Sequence, residues 1–226
     1  MLLSIPTPDE FIYVIALFVW VLFVSHYLCK RIYNALLRRG YEQNVAVYYN
    51  RKIIHILAGG LVSILVPFLF KSFTLIAILV TVLAIGNYLP HRSGRIWYWY
   101  QVKENMYEVH FIIMWGLIMG LGFLLGNLAI GVLPILFMSV GDGVTGLVRN
   151  MLYHRRTKSW WGNIAMALFC IPAGFLTFGV SGAVAGFAAS LVEKLEFRWI
   201  DDNITVPLIS FIILLALPMS GVPVFV

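Results

Sequence analysis

Along the chain, long apolar blocks alternate with short polar connections, and the blocks approach the thickness of a bilayer core instead of repeating with a short period. Segments at about 11–29, 53–70, 73–90, 109–125, 127–148, 163–179, 181–196 and 204–220 are each predicted to form a membrane-crossing helix. The sixth and seventh must share Ile164 to Leu195, so they need a turn between them, which Phe178-Gly179-Val180-Ser181-Gly182 supplies. The expected fold is all-α, a polytopic transmembrane helical bundle of about eight spans, with residues 1–226 forming a single integral membrane domain. The first block follows Pro8, Asp9 and Glu10 instead of a basic stretch, and no small-residue cleavage site follows it, so it is expected to be a retained span.

Composition sharpens this picture. Hydrophobic residues make up 61% of the chain and charged residues 12%, for a mean hydropathy of +0.90. A soluble domain carries roughly 25% charged residues, so half that density cannot cover a surface facing water. The net charge of +6 does not point to nucleic acid, because the basic residues lie in short segments beside the spans, where orientation and anionic phosphates account for them. Lys30, Arg31, Arg38, Arg39, Arg51 and Lys52 follow the first span, and Arg92, Arg95 and Lys103 the third. Arg149, Arg155, Arg156 and Lys158 follow the fifth, and Lys194 and Arg198 the seventh, leaving Lys71 alone on the opposite side. By the positive-inside rule these connections are cytoplasmic and both termini lie outside. With no organelle signal visible, a prokaryotic plasma membrane is the default location. Cys29 and Cys170 both lie within apolar blocks, which argues against a disulfide framework.

Four polar clusters fall on the expected cytoplasmic side. Arg51-Lys52-Ile53-Ile54-His55 enters the second span with its three cationic or titratable groups within one helical turn. A snorkelling flank would explain Lys52, but His55 lies one turn into apolar sequence, where an ionisable group points to function. Asp142, set between Gly141 and Gly143 in the fifth span, needs a partner, either a metal or a cation on a neighbouring helix. The two glycines would let a polyphosphate or hydrated Mg²⁺ approach the backbone. Lys158-Ser159-Trp160-Trp161-Gly162-Asn163 combines a phosphate-binding Lys-Ser pair at a helix start with residues that also suit an interfacial anchor. Glu193 and the run Asp201-Asp202-Asn203 gather hard oxygen ligands suited to Mg²⁺.

In order along the chain, Arg51-Lys52-x-x-His55, Gly141-Asp142, Lys158-Ser159-x-x-Gly162 and Glu193…Asp201-Asp202-Asn203-x-Thr205-Val206-Pro207 resemble the polyprenol kinase family, which includes dolichol, phytol, farnesol and geranylgeraniol kinases. The resemblance spans about residues 50–210, and its last motif looks most like the phytol-kinase branch. Two positions differ. Many members carry a Gly-Lys pair between the Gly-Asp and Lys-Ser motifs, where this chain runs from Leu147 to Arg156 without one, and Trp161 stands where many have an acid.

The resemblance implies an enzyme that transfers the γ-phosphate of CTP, or of ATP, with Mg²⁺, to the hydroxyl of a membrane isoprenoid alcohol. By the same carry-over, Asp142, Glu193, Asp201 and Asp202 would hold the metal, and Lys158, Ser159, Gly162 and Asn203 the nucleotide, beside Gly141 and Gly143. Arg51, Lys52 and His55 would bind phosphate or help activate the alcohol. The base would be a carboxylate, Asp142 or one of the Asp pair such as Asp202, with His55 as the next choice. A cytidylyltransferase forming a CDP-lipid would use a similar site, but the long Lys/Asp-rich signature of CDP-diacylglycerol synthases is missing. A small transporter would place polar groups near the midplane, whereas here they gather on one face.

Overall fold

A computed structural model describes residues 5–154, 157–195 and 200–218. Arg155, Arg156 and Arg198, assigned above to cytoplasmic connections, lie outside the described residues. Among the described residues, the chain is helical throughout apart from one isolated bridge, Val102 to Asn105. Seven helical stretches follow in order: α1 (Pro8–Arg38), α2 (Gln43–Leu69), α3 (Thr74–Ser93), α4 (Tyr107–Leu124), α5 (Leu128–Tyr153), α6 (Trp160–Val192) and α7 (Asp202–Ala216). The first six are long and apolar enough to cross a membrane, and α7 is a shorter apolar helix. The apolar window of α5 is 78% buried, against 17% for α1 and α3, so α5 is the centre of the bundle and α1 and α3 form its rim.

Two expected boundaries are corrected. Arg31, Arg38, Arg51 and Lys52 belong to helices and not to a loop, because α1 runs to Arg38 and α2 begins at Gln43. Hydropathy marks where a helix enters apolar surroundings, whereas backbone hydrogen bonding carries the helix past that point. Glu10, expected only as part of an acidic start, is buried and caps the far end of the bundle. One of its oxygens accepts from the Lys71 and Ser72 amides (2.6 and 3.2 Å) and the other from Thr7 N (2.8 Å).

The turn expected at Phe178 is present within α6. Phe178 and Gly179 leave helical geometry, with Gly179 at φ +60°, and the two halves fold back on each other. At their crossing, a Cβ on Gly182 would stand 2.0 Å from the Gly174 carbonyl oxygen, and one on Gly174 would stand 2.1 Å from that of Gly182. Close backbone approach through small residues is how membrane helices gain packing energy. Gly182→Ala is therefore expected to destabilise the protein by about 1–3 kcal/mol, the usual cost of overpacking. Thermal unfolding in detergent checks this, and an unchanged melting temperature would refute the crossing.

Three helices contain a wider π turn, in which an amide reaches back five residues: Phe23–Leu28 in α1, His55–Gly60 in α2 and Phe137–Gly141 in α5. Such turns leave carbonyls without their usual helical donors. In α1 and α2, indoles from other segments supply the missing bonds: Trp99 to Ser25 O (2.8 Å), Trp20 to Leu57 O (2.9 Å) and Trp115 to Gly59 O (3.0 Å).

Candidate active site

The π turns in α2 and α5 sit at the polar centre of the molecule. His55 opens the first, and Asp142 follows the second. Lys52, buried with 2% exposure, extends from α2 along Gly146 of α5, where a Cβ would come within 2.3 Å of the Lys52 stem. This close approach brings Lys52 Nζ to 2.7 and 2.6 Å from the two Asp142 oxygens. His55 Nδ1 lies 3.2 Å from Asp142 Oδ2, and its ring stacks on Phe111 of α4 at 4.1 Å. One turn earlier, the Arg51 guanidinium lies over the Tyr107 ring at 3.9 Å.

A second charged group adjoins the first. Arg149, 1% exposed on α5, donates to both Glu193 oxygens at 2.7 and 2.8 Å. Its other contacts are Ser159 O (3.1 Å) and Asn163 Oδ1 (2.9 Å), and its guanidinium fills the space in which a Cβ on Gly162 would sit. Lys158 bridges Glu193 Oε1 (3.2 Å) and Asp202 Oδ2 (3.1 Å). Burial alone would lower the Lys158 pKa, but the Asp202 and Glu193 carboxylates outweigh it and hold the ammonium above its ordinary range.

One oxygen each from Asp142, Glu193 and Asp202 lies within 4.8 Å of the others, and all three residues are buried. Opposed oxygens of an octahedral Mg²⁺ shell stand roughly 4 Å apart, given bonds of about 2.0–2.1 Å, so small inward shifts would seat a cation here. The donor set is all carboxylate oxygen, which suits Mg²⁺. Asp201, expected in the same group, faces elsewhere. It N-caps α7 by accepting from Asn203 N (3.1 Å), and its other oxygen meets His110 Nδ1 (2.9 Å). Asn203 donates to Tyr107 O at 3.4 Å, and its buried Oδ1 has no partner among the described residues. Ser159 Oγ is likewise buried and unpartnered. The space left by Gly141 and Gly143 is taken by Cys170 and Ile56, so protein side chains make the close approach there.

An apolar cleft runs from this centre between α1, α2, α3 and α4. Leu17, Val62, Val66, Phe70 and Ile76 line its far part, and Arg51, His55 and Glu108 its near end. From His55 to Phe70 the cleft follows fifteen residues along α2 and its end, roughly 22 Å at about 1.5 Å per residue. His55 thus lines the cleft and also lies beside Asp142, which joins the apolar cleft to the charged cluster.

Sequence reasoning placed Lys52, His55, Asp142, Lys158, Glu193 and Asp202 in the candidate site, and the structure brings these six together. Arg149 was read only as a positive-inside flank, Asn163 was in the Lys158 cluster but without a role, and Glu108 and His110 were not singled out. The signal available for Arg149 was its spacing of seven residues from Asp142, two helical turns along one face.

Comparison with known proteins adds one relative. The chain is 33% identical over 182 residues to the phytol kinase of Synechocystis sp. (strain ATCC 27184 / PCC 6803 / Kazusa), an alignment covering 72% of this chain and 76% of that protein. No family model matches the sequence, and no solved structure matches the chain.

Proposed function

Since this chain belongs to the polyprenol and isoprenoid alcohol kinase family, we propose that it transfers the γ-phosphate of CTP, or of ATP, to the hydroxyl of a membrane isoprenoid alcohol. The observation that carries this reading is the meeting of two unlike surfaces at His55. On one side is an apolar cleft the length of an isoprenoid chain, and on the other a buried set of three carboxylates and three cations. A transporter has no need for such a junction. A cytidylyltransferase could use the same junction with a phosphorylated headgroup, and it is the kinase relative that favours the alcohol.

In this reading Asp142, Glu193 and Asp202 hold Mg²⁺, which neutralises phosphate oxygens and lowers the barrier to phosphoryl transfer when bound. Lys52, Arg149 and Lys158 balance the three acids, so the site can accept a cation and an anionic polyphosphate together. Ser159 Oγ and Asn203 Oδ1 are among the buried polar atoms beside this group that have no partner among the described residues, and a nucleotide would supply one. Both Asp142 oxygens already hold Lys52, and one also faces His55. A hydroxyl entering from the cleft therefore meets His55 before it meets Asp142. The remainder of the proposal is topological: eight passes, counting the two halves of α6 separately, with both termini outside and the charged cluster at the cytoplasmic face.

The decisive test offers γ-labelled CTP and ATP, with Mg²⁺, to the protein in liposomes containing farnesol, geranylgeraniol, phytol or a long polyprenol. Label is expected in the organic phase with at least one alcohol and lost on chelation of the metal. Folded protein that transfers label to none of them, but forms a CDP-lipid from a phosphorylated acceptor, would replace the kinase reading with the transferase.

A further inference from the structure

The near end of the cleft contains a carboxylate that neither the charged cluster nor the family motifs include. Glu108, on the first turn of α4, is 8% exposed and lines the cleft. Its Oε1 is occupied: it pairs with His91 Nε2 at the end of α3 and accepts from Gln101 Nε2 at 2.8 Å. Its Oε2 is buried and has no hydrogen-bond partner among the described residues. The His91 and Gln101 bonds explain how Glu108 ties α3 and the following loop to α4, yet they use only one oxygen. A buried carboxylate oxygen left bare costs more than any other arrangement of that side chain, so such an atom marks the place of a missing donor.

Geometry restricts what that donor is. Glu108 lies three residues before Phe111, one turn along the same face of α4, and Phe111 carries the stacked His55 ring. Glu108 follows Tyr107, which carries Arg51. Glu108 itself lines the cleft together with Arg51 and His55, at the rim where the apolar passage ends and the charged cluster begins. A ligand that fills the passage presents one end group at this rim. A carboxylate only accepts, so the matching end group is a neutral donor on an apolar chain: a hydroxyl. A phosphorylated end group has no donor for this oxygen and meets its like charge there, so it is held instead by the Arg51 side of the rim.

We propose that Glu108 is the hydroxyl-binding residue for the lipid, accepting the O–H of a primary alcohol at Oε2 while His91 and Gln101 hold Oε1. The inference rests on the lipid-alcohol reading of the cleft and adds the residue that separates the alcohol from its phosphorylated product. Release from Glu108 follows from the same contact, because converting the hydroxyl to a phosphate replaces a hydrogen bond with repulsion.

The test measures equilibrium binding of tritiated geranylgeraniol and of its tritiated O-methyl ether to detergent-solubilised protein, without nucleotide. The ether has the same chain but cannot donate. Wild-type protein is expected to prefer the alcohol by about ten- to a hundredfold, the range for one hydrogen bond to a charged acceptor. Glu108→Ala is expected to bring the ratio to about one. A purely structural role would weaken both ligands together and leave the ratio unchanged, and that result overturns the proposal. Glu108→Gln keeps the size and a weaker acceptor, and decides the matter where the alanine variant does not fold. A ratio lowered at least threefold supports the proposal, and an unchanged ratio overturns it. Wild-type protein that does not distinguish alcohol from ether overturns it directly. Since no nucleotide is present, a preserved preference in protein that transfers no phosphate would refute the kinase reading and leave this site standing.

Discussion

Asp142→Asn is expected to lower phosphate transfer by about a thousandfold or more while the protein still folds. Loss of one preorganised electrostatic contact in a buried site costs about a hundred- to a thousandfold, and Asp142 makes several such contacts, holding Lys52 with both oxygens and facing His55 with one. Asparagine keeps the shape and one acceptor for Lys52 but is a poor Mg²⁺ ligand. Asp142→Ala is the harsher change, since it leaves the 2%-exposed Lys52 ammonium with no counter-charge. Breaking a buried pair from one side costs about 3–5 kcal/mol, whereas replacing both partners with apolar groups is often neutral. The double variant Lys52→Met/Asp142→Leu is therefore expected to melt above Asp142→Ala and to be equally inactive. Melting temperature and labelled-phosphate transfer, measured on the same preparations, separate the two roles. Asparagine or alanine variants that retain more than a tenth of wild-type turnover would remove Asp142 from the reaction.

Arg149→Ala carries the largest expected cost in stability. The guanidinium is almost fully buried and makes two bonds to Glu193, two to Ser159 O and one to Asn163. Truncation leaves Glu193 charged, buried and facing only Lys158 and the Asn163 amide. The cost is about 3–5 kcal/mol, and for a chain of this length each kcal/mol corresponds to about 2–4 °C. Melting of the detergent-solubilised protein is expected to fall by about 6–20 °C. Arg149→Lys should recover little, because a point charge cannot reproduce the two-oxygen grip on Glu193. Combining Arg149→Met with Glu193→Gln should recover much more. A melting temperature within 2 °C of wild type in Arg149→Ala would show that α5 and α6 are held together elsewhere.

These two residues also show what was legible before the fold was known. Asp142 stood out because a carboxylate inside an apolar block has to be compensated, and Lys52 and His55 stood out one turn apart at the start of another block. Arg149 carries as much of the site but was hidden, because a cation just past an apolar block already has a sufficient explanation in membrane topology. Glu108 was hidden for a related reason: at the edge of its block, near Glu104, it looks like an ordinary loop acid. Of the adjacent acids, composition could not separate Asp202, which joins the cluster, from Asp201, which caps α7. The hairpin within α6 was legible from Phe178 to Gly182, because glycine there has few other uses. The extensions of α1 and α2 past their apolar blocks were not, since helix continuation depends on backbone bonding that hydropathy does not report.

The π turns give the bundle a further property. Each packs one more residue into its turn than an α-helix would, so excising a single residue from Phe137–Gly141 would restore ordinary winding. Everything beyond the cut would keep nearly its present face, because the wider turn absorbs its extra residue into about the same rotation. Asp142 would still meet Lys52, and Arg149 Glu193, while the carbonyls that the wide turn leaves free would gain helical donors. The same excision in His55–Gly60 would keep Val62 and Val66 on the passage but close the carbonyls of Leu57 and Gly59 that Trp20 and Trp115 now reach. The extra residue thus serves backbone bonding and not helix phase, so a one-residue deletion is expected to be milder here than in the regular turns on either side, where everything beyond the cut would swing by about 100°.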